Sequence, residues 1–517
     1  SDRFVIRNST GDLYTKGMIV SNNIYGDIPS DTKIINNNNI VLATLKANTK
    51  LAQVKPSFSD GFRGIGISSH GMAFSDDGNS FAAVVPYGTD YSSNGTKIFN
   101  GLVQVYNWDT ISNKWYMIST ISTSLLDSSS STSYSSSVAF NTDGKFLAVS
   151  AHTNTNYKVI FYIMDEDNQW SFINFLKILD KPDAGKYMIM EPNIKYLFLS
   201  EDKDNIELYI NQNQNPNSNF DANFTKGTFN LLNNNYIGVI NDIKSNHDCT
   251  IVAISSCTGS KTQVNNGTIA CYAFWNSNGN PTILSSSPFI RLGKNIEEYD
   301  DLTNINSKKK SYFGNVCSIS THAKVDFKDK NFNNFEYDIT LAVSTGGNFD
   351  PKNTPAYIKI YKFKYNTNNT SSGLIYPPPT AENTIPYIDG TWEQTGYLDH
   401  ITYGGESGFG TDIKLNEDGT ILFVGSPIEN NIYVFHYDSN DKSWNMLNKI
   451  QGFKSGDMSI GYKLAYNYTK KHFSASSFKY ATSDISDKDN YNYLGVSSEY
   501  NHIRVFNIEY SDSSSTF

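Results

Sequence analysis

"LNEDGTILFVGSP" (residues 415–427) decides how the chain is read, because it is written again as "FSDDGNSFAAVVP" (74–86) and "FNTDGKFLAVSAH" (140–152). Each copy is an apolar alternation, a polar pair, Asp-Gly, and a second apolar run. Gly takes a positive φ without a Cβ penalty, so Asp-Gly between two apolar runs marks a tight hairpin turn. Gly78, Gly144 and Gly419 are therefore repeat positions. The segment after each hairpin recurs as well. "GLVQVYNWDTISNKWYMIST" from Gly101, "NYKVIFYIMDEDNQWSFINF" from Asn156 and "NNIYVFHYDSNDKSWNMLNK" from Asn430 each give a strand, a polar turn and a strand opening on Trp. Those tryptophans are Trp115, Trp170 and Trp444. The unit is four strands: A, the Asp-Gly turn, B, a loop, C, a polar turn, and D.

Weaker copies fill the gaps. "VINDIKSNHDCTIVAISS" from Val239 has His-Asp-Cys where Asp-Gly stood, and "KYMIMEPNIKYLFLSED" from Lys186 is the most degenerate. Onsets near Gly66, Tyr134, Lys186, Ile237, Tyr312, Gly408 and Ile460 give about seven units at a period near 50 residues. Four-stranded units repeated in this way are blades of a β-propeller, in which neighbouring blades bury each other's faces. A β-solenoid would show shorter, more uniform turns. The expected fold is all-β: a seven-bladed propeller over residues 63–517, preceded by a short β segment at 1–62.

Composition agrees with that class. Of 517 residues, 38% are hydrophobic and only 18% charged, and 34 Tyr with 31 Phe supply bulky strand formers. The net charge of −9 and the lack of a basic stripe argue against nucleic acid as a partner. "SKKKS" (307–311) is the one basic run, and it reads as a solvated loop. No apolar run approaches the roughly 18 residues that cross a bilayer, so membrane insertion is not expected. No apolar leader is visible, and the chain opens on Ser1, as expected of a processed protein or a fragment. Cys249, Cys257, Cys271 and Cys317 lack paired metal-ligand spacing and read as buried free thiols.

"SGFGTDIKLNEDGTILFVGSP" (407–427) followed by "IYVFHYDSNDKSWNML" (432–447) resembles the FG-GAP repeats of integrin-α-like propellers. Gly408-Phe409-Gly410, Gly425-Ser426-Pro427 and the Tyr433 to Trp444 segment carry the likeness. The resemblance implies a surface adhesion module. Integrin-like propellers also carry calcium loops between B and C. Here those loops, such as "HTNTN" (152–156) and "GGNFDPKNTP" (346–355), lack the clustered carboxylates that calcium requires. The acidic stretches "DEDNQ" (165–169) and "SDISDKDN" (483–490) read as solvated turns, so no metal or other cofactor is expected. "NSTGDLYTKGMIVSNNIYG" (8–26) resembles the Gly-punctuated β repeats of viral fibre stalks. Residues 1–62 are then an attachment or oligomerisation segment, or alternatively a strand and cap completing the last blade.

No contiguous catalytic pattern stands out. "GISSHG" (66–71) places Ser68 near His70 without the spacing of a nucleophile elbow, and His70 reads as a strand-end residue. Sialidase turns, Walker and dinucleotide-binding signatures are missing. Trp108-Asp109 is a lone Trp-Asp pair, with no WD copies elsewhere. Arg63, Arg291 and Arg504 lie in separate units and could converge on the propeller axis as the site of a carbohydrate-active enzyme. Seven Asn-x-Ser/Thr sequons permit glycosylation without arguing for it. The leading expectation is a non-enzymatic structural or adhesive propeller on a virion or cell surface. It would bind a protein or glycan through loops on one face and form a homo-oligomer through its N-terminal segment. The alternatives are an axial carbohydrate-active enzyme and an intracellular scaffold.

Overall fold

The computed structural model describes residues 70–91, 97–111, 114–122, 132–153, 157–178, 185–200, 205–211, 224–226, 239–257, 267–274, 289–298, 312–320, 322, 324–327, 335–346, 356–365, 390–402, 408–452, 460–470, 472–477 and 503–509. It also describes the short strands Val5–Ile6, Leu13–Tyr14, Lys33–Ile35, Val41–Lys46, Leu374–Ile375 and Tyr387–Ile388. Seven four-stranded antiparallel units form a ring: a seven-bladed β-propeller.

The sixth blade shows how the repeated phrase folds. Strand A is Ile413–Leu415, B is Ile421–Ser426, C is Asn431–Asp438 and D is Ser443–Gln451, each paired antiparallel with the next. The first polar residue of the turn and the Asp of Asp-Gly have a definite task. Asn416 Oδ1 accepts from the Ile421 amide at 2.8 Å, and Asp418 Oδ1 accepts from the Thr420 amide at 3.0 Å. Blades 2 and 4 repeat the first bond, from Phe146 to Asn141 and from Ile251 to Asn246, at 2.9 Å each. Gly419 sits at φ +71° in the left-handed region. Cys249 takes that place in blade 4 at φ 57° and Ile194 in blade 3 at φ 62°, which is why those copies look degenerate in sequence.

Strands A line the middle of the ring: Met72–Phe74, Thr132–Phe140, Met188–Met190, Asp242–Ser245, Val316–Ile319, Ile413–Leu415 and Ile460–Asn467. Each approaches strand A of the blades beside it. The cores lie between blades. One joins Ile251, Ala253 and Cys271 of blade 4 to Cys317, Leu341 and Val343 of blade 5. Strand B is fully buried in blade 6, because both of its faces meet other blades. Burying each such Val, Leu, Ile or Phe contributes about 1.5–3 kcal/mol.

Trp115, Trp170 and Trp444 stand at or next to the start of strand D in blades 1, 2 and 6. They face Trp108, Met164 and Tyr437 on strand C. Trp444 also reaches blade 5, where a Cβ on Gly396 would come within 2.5 Å of its ring. In blade 5 the matching strand is Gly390–Asp399, and Trp392 Nε1 donates to the Leu292 carbonyl of blade 4 at 3.0 Å.

The ring closes at blade 7. Its strands A and B are Ile460–Asn467 and His472–Ser477, and its strand C is Ile503–Glu509. Its fourth strand is Val41–Lys46, paired antiparallel with Ile503–Glu509. Part of the segment numbered 1–62 is therefore built into the last blade. On the other side of the seam, Asn467 Nδ2 donates to the carbonyls of Ser75 and Asp76 in blade 1, at 2.9 and 3.0 Å. Tyr468 Oη donates to Asp76 Oδ1 at 2.7 Å. Asn467 heads one of the seven sequons, and these bonds use the amide that a glycan would need. The four cysteines are free, and burial pushes the thiols of Cys249, Cys271 and Cys317 up.

Candidate functional site

Blades 4 and 6 open strand A with the same three residues, Asp242-Ile243-Lys244 and Asp412-Ile413-Lys414. Alternation along a strand sends Ile into the packed interior and the flanking Asp and Lys to the opposite face, toward the axis. Ile243 and Ile413 are buried. Each Asp stitches its blade to the next. Asp242 Oδ1 accepts from the Ile243 amide at 2.9 Å, and its Oδ2 accepts from Cys317 N of blade 5 at 3.2 Å. Asp412 Oδ1 accepts from the Ile413 amide at 3.1 Å, and its Oδ2 accepts from Leu464 N of blade 7 at 2.8 Å.

The two lysines differ in what holds them. Lys244 Nζ donates to Asp242 Oδ1 at 2.8 Å and lies 3.0 Å from His70 Nε2. His70 Nδ1 is 2.9 Å from the Met188 carbonyl, which can only accept, so the imidazole proton belongs on Nδ1 and Nε2 accepts from Lys244. Burial, reinforced by the Lys244 charge, lowers the His70 pKa and keeps the ring neutral. Burial alone would raise Asp242, but the Lys244 charge outweighs it and holds the carboxyl well below the usual range. Burial would likewise lower Lys244, and the Asp242 and Asp412 charges reverse that, so it stays charged. Lys414 has no hydrogen-bond or ion-pair partner among the described residues. Burial, then repulsion from Lys244, brings its pKa down to about 8.

These groups line an axial cavity of about 270 Å³. Lys244, Lys414, Lys463, Asp412 and His70 contribute its polar wall, and Phe74, Phe140, Ile189 and Leu464 are among its apolar surfaces. Residues of the A–B turns of blades 1, 3, 4 and 7 form its floor, among them Asp76, Pro192, His247 and Tyr468. His247 Nε2 of blade 4 meets Asp76 Oδ1 of blade 1 across the axis at 2.8 Å. Tyr468 of blade 7 sets its ring edge-on to both His247 and His322, with centroids 5.4 and 4.5 Å apart. The bond to Asp76 raises the His247 pKa despite partial burial. Burial would raise Asp76, but the bonds from His247 and Tyr468 lower it.

Of the arginines singled out in the sequence, Arg291 and Arg504 lie on other strands. Arg291 is buried on strand D of blade 4 (Phe289–Leu292), where its Nη1 donates to Asn295 Oδ1 at 3.3 Å. Arg504 is on strand C of blade 7, and Arg63 lies outside the described residues. The "SKKKS" run, the "SDISDKDN" stretch and the Gly-punctuated repeat at 8–26, apart from Leu13–Tyr14, lie outside them as well. His70, read in the sequence as a strand-end residue, bonds across the axis to Met188 of blade 3 and Lys244 of blade 4. Asp242, Lys244, Asp412 and Lys414 escape a motif-based reading, although the doubled Asp-Ile-Lys at the same place in two repeats is a visible signal. Among the described residues, no group of three or more His, Cys, Asp or Glu side chains is placed to hold a metal ion. No helix among them is long and apolar enough to cross a membrane.

No protein-family model matches the chain, and no curated protein matches it. The FG-GAP resemblance therefore rests on its motifs alone. Many solved structures are similar in fold. A candidate 6-phosphogluconolactonase from Bacteroides uniformis is 12% identical, with a TM-score of 0.42 over 74% of this chain and 84% of its own. The periplasmic gluconolactonase of Pseudomonas aeruginosa is 14% identical, with a TM-score of 0.38 over 74% and 85%. The β-propeller domain of Cps50 (Swd1) from Myceliophteria thermophila is 8% identical, with a TM-score of 0.44 over 87% and 98%. At these identities the likeness shows the fold. Proteins named as lactonases share this architecture, so the fold gives no ground for the expectation of a non-enzymatic protein, and that expectation is corrected. The physical reason is that an axial site takes one or two residues from each of several blades, so no contiguous motif announces it.

Proposed function

We propose that the axial cavity binds a small molecule bearing a carboxylate or phosphate, gripped by Lys244, Lys414 and Lys463. The observation that carries this reading is Lys414, an ammonium on the cavity wall that makes no ion pair among the described residues and feels the Asp412 and Asp242 charges only from a distance. The neighbouring charges are already committed: Lys244 to Asp242, His247 to Asp76, and Asp412 to two backbone amides. An arriving anion supplies what burial has withheld, and it meets a wall of partly apolar, low-dielectric character in which charge pairing is strong. The groups able to move a proton beside it are Lys414 and neutral His70. An axial site is thus supported by lysines of blades 4, 6 and 7, and neither Arg291 nor Arg504 is among the residues that line it. A protein or glycan held by loops of one face, on a virion or cell surface, would be a separate use of the same ring. No specific observation favours it.

Thermal unfolding with a panel of sugar acids and sugar phosphates tests the reading. A ligand at a hundred times its Kd stabilises by about 2.7 kcal/mol, which is easily seen. Lys414→Met should abolish the shift. A panel without any stabilising member, or a shift equal in Lys414→Met, would overturn the assignment.

A further inference from the structure

The residue two before the polar residue that ends strand A is the one facing the cavity beside Lys414 and Lys244. In the other five blades it is Ala73, Ala139, Ile189, Ser318 and Ala465. Only blades 4 and 6 place an amine there, and the blade 4 amine is occupied by Asp242 and His70. Lys414 stands apart: no acceptor among the described residues engages it, and it shares the cavity with a fixed positive charge.

We propose that Lys414 is a covalent site, forming an imine with a small carbonyl acid whose carboxylate is held by Lys244. The proposal rests on the anion site described above and names its substrate class. The chemistry needs no oxidant. The Lys414 nitrogen lone pair attacks the carbonyl carbon, and the carbonyl electron pair moves to oxygen. The two protons of the amine then leave with that oxygen as water, so the amine and carbonyl become an imine plus water. Three features of the cavity favour this step. A pKa of about 8 leaves a useful fraction of free amine near neutrality, where an ordinary lysine has almost none. Lys244 is a second cation, the arrangement that activates a neighbouring amine and also anchors the acid group. The apolar surfaces contributed by Phe74, Phe140 and Leu464 lie in the same cavity and can take the carbon skeleton of the acid.

The test is reductive trapping of the full chain with glyoxylate and cyanoborohydride near pH 8, read by intact mass and peptide mapping. We expect one carboxymethyl group on Lys414, formed on the order of tenfold faster than on any other lysine. Glycolate, which has the acid but no carbonyl, is run in parallel as a reversible ligand in thermal unfolding. Lys414→Arg keeps the charge and should lose trapping while still being stabilised by glycolate. Modification spread over surface lysines without enrichment at Lys414 overturns the covalent site, and a glycolate shift in the same protein leaves the anion site standing. Trapping at Lys414 without any glycolate effect would keep the imine-forming lysine but sink the anion-binding reading, and with it the role given to Lys244. Enrichment at Lys244 or Lys463 also overturns the proposal.

Discussion

Asp412 reaches out of its own blade to accept the backbone N–H of Leu464 in the next, at 2.8 Å, and Asp242 repeats the gesture toward Cys317. A carboxylate placed in this way stitches two blades at the innermost strand, where little side-chain volume is available to do it. Asp412→Ala leaves two amides without their acceptor, and each hydrogen bond to a charged group contributes about 1.5–3 kcal/mol. Urea unfolding should report a loss of about 3 kcal/mol, and Asp412→Asn a smaller one. An unchanged midpoint for Asp412→Ala would mean that the stitch contributes nothing.

The left-handed turn positions predict opposite signs for two substitutions. Gly419 has φ +71°, and an added Cβ would meet Thr340 Cβ and Oγ1 at 2.5 Å. Gly419→Ala should destabilise by more than about 1 kcal/mol. Lys442 holds φ 53° on an exposed turn, so Lys442→Gly should stabilise by a few tenths to about 1 kcal/mol. Paired melting curves decide it, and equal signs would refute the conformational argument.

Trp444 is buried, but its indole N–H has no acceptor among the described residues. Trp444→Ala should cost about 3–5 kcal/mol through the space it leaves against Gly396 and Ile360. Trp444→Phe should cost much less, because it removes an unpaired donor along with part of the ring. A Phe variant as unstable as the Ala variant would show that the N–H is satisfied.

The floor of the cavity sets a pH window. His247 has a raised pKa, so its stabilisation is full below the unfolded value near 6.5 and fades as pH rises through the folded value. Asp76 has a lowered pKa, so its share is present above about 3.8 and is lost as pH falls through the folded value. The stability difference between the wild type and His247→Asn should peak between those limits and shrink on both sides. His472 works against this. Burial, then the Lys470 charge, takes it to about 4, so its burial becomes unfavourable as pH falls from 6.5. A difference that grows steadily above pH 7 would contradict the His247–Asp76 pairing.

Anion affinity should depend on pH through Lys414. Binding favours the protonated amine, so Kd should rise by up to about tenfold per unit once pH exceeds about 8. Calorimetry near pH 8 in buffers of different ionisation enthalpy should show proton uptake on binding. A pH-independent Kd, with no uptake, would remove Lys414 from the contact.

Much of the ring can be read from residues 415–427 and their two copies. The Asn-x-Asp-Gly turn is a local device, and its bonds close within five residues. Blades 3 and 4 are harder to read because Ile194 and Cys249 occupy the left-handed position, a strain that neighbouring packing sustains. The cavity is not legible for a different reason. His70, Lys244 and Lys414 meet only after three blades are in place, and their spacing in the sequence is set by intervening loops rather than by chemistry. Arg291 looks more functional than it is placed to be. Arg291 stands on the fourth strand of its sheet, three strands out from the strand A that lines the cavity, and only the short strands Tyr387–Ile388 and Leu374–Ile375 lie beyond it.

The pairing of Val41–Lys46 with Ile503–Glu509 has a consequence in time. During synthesis the early strand must wait, with one edge unsatisfied, for a partner made more than four hundred residues later. At about 5–20 residues per second that is roughly 20–90 seconds. Six blades can assemble on one another in the interval, while the seventh has neither its outer edge nor its contact with the first. The last seam is therefore the slow-arriving one, and an open-ended stack with two sticky edges is the species that a chaperone would meet.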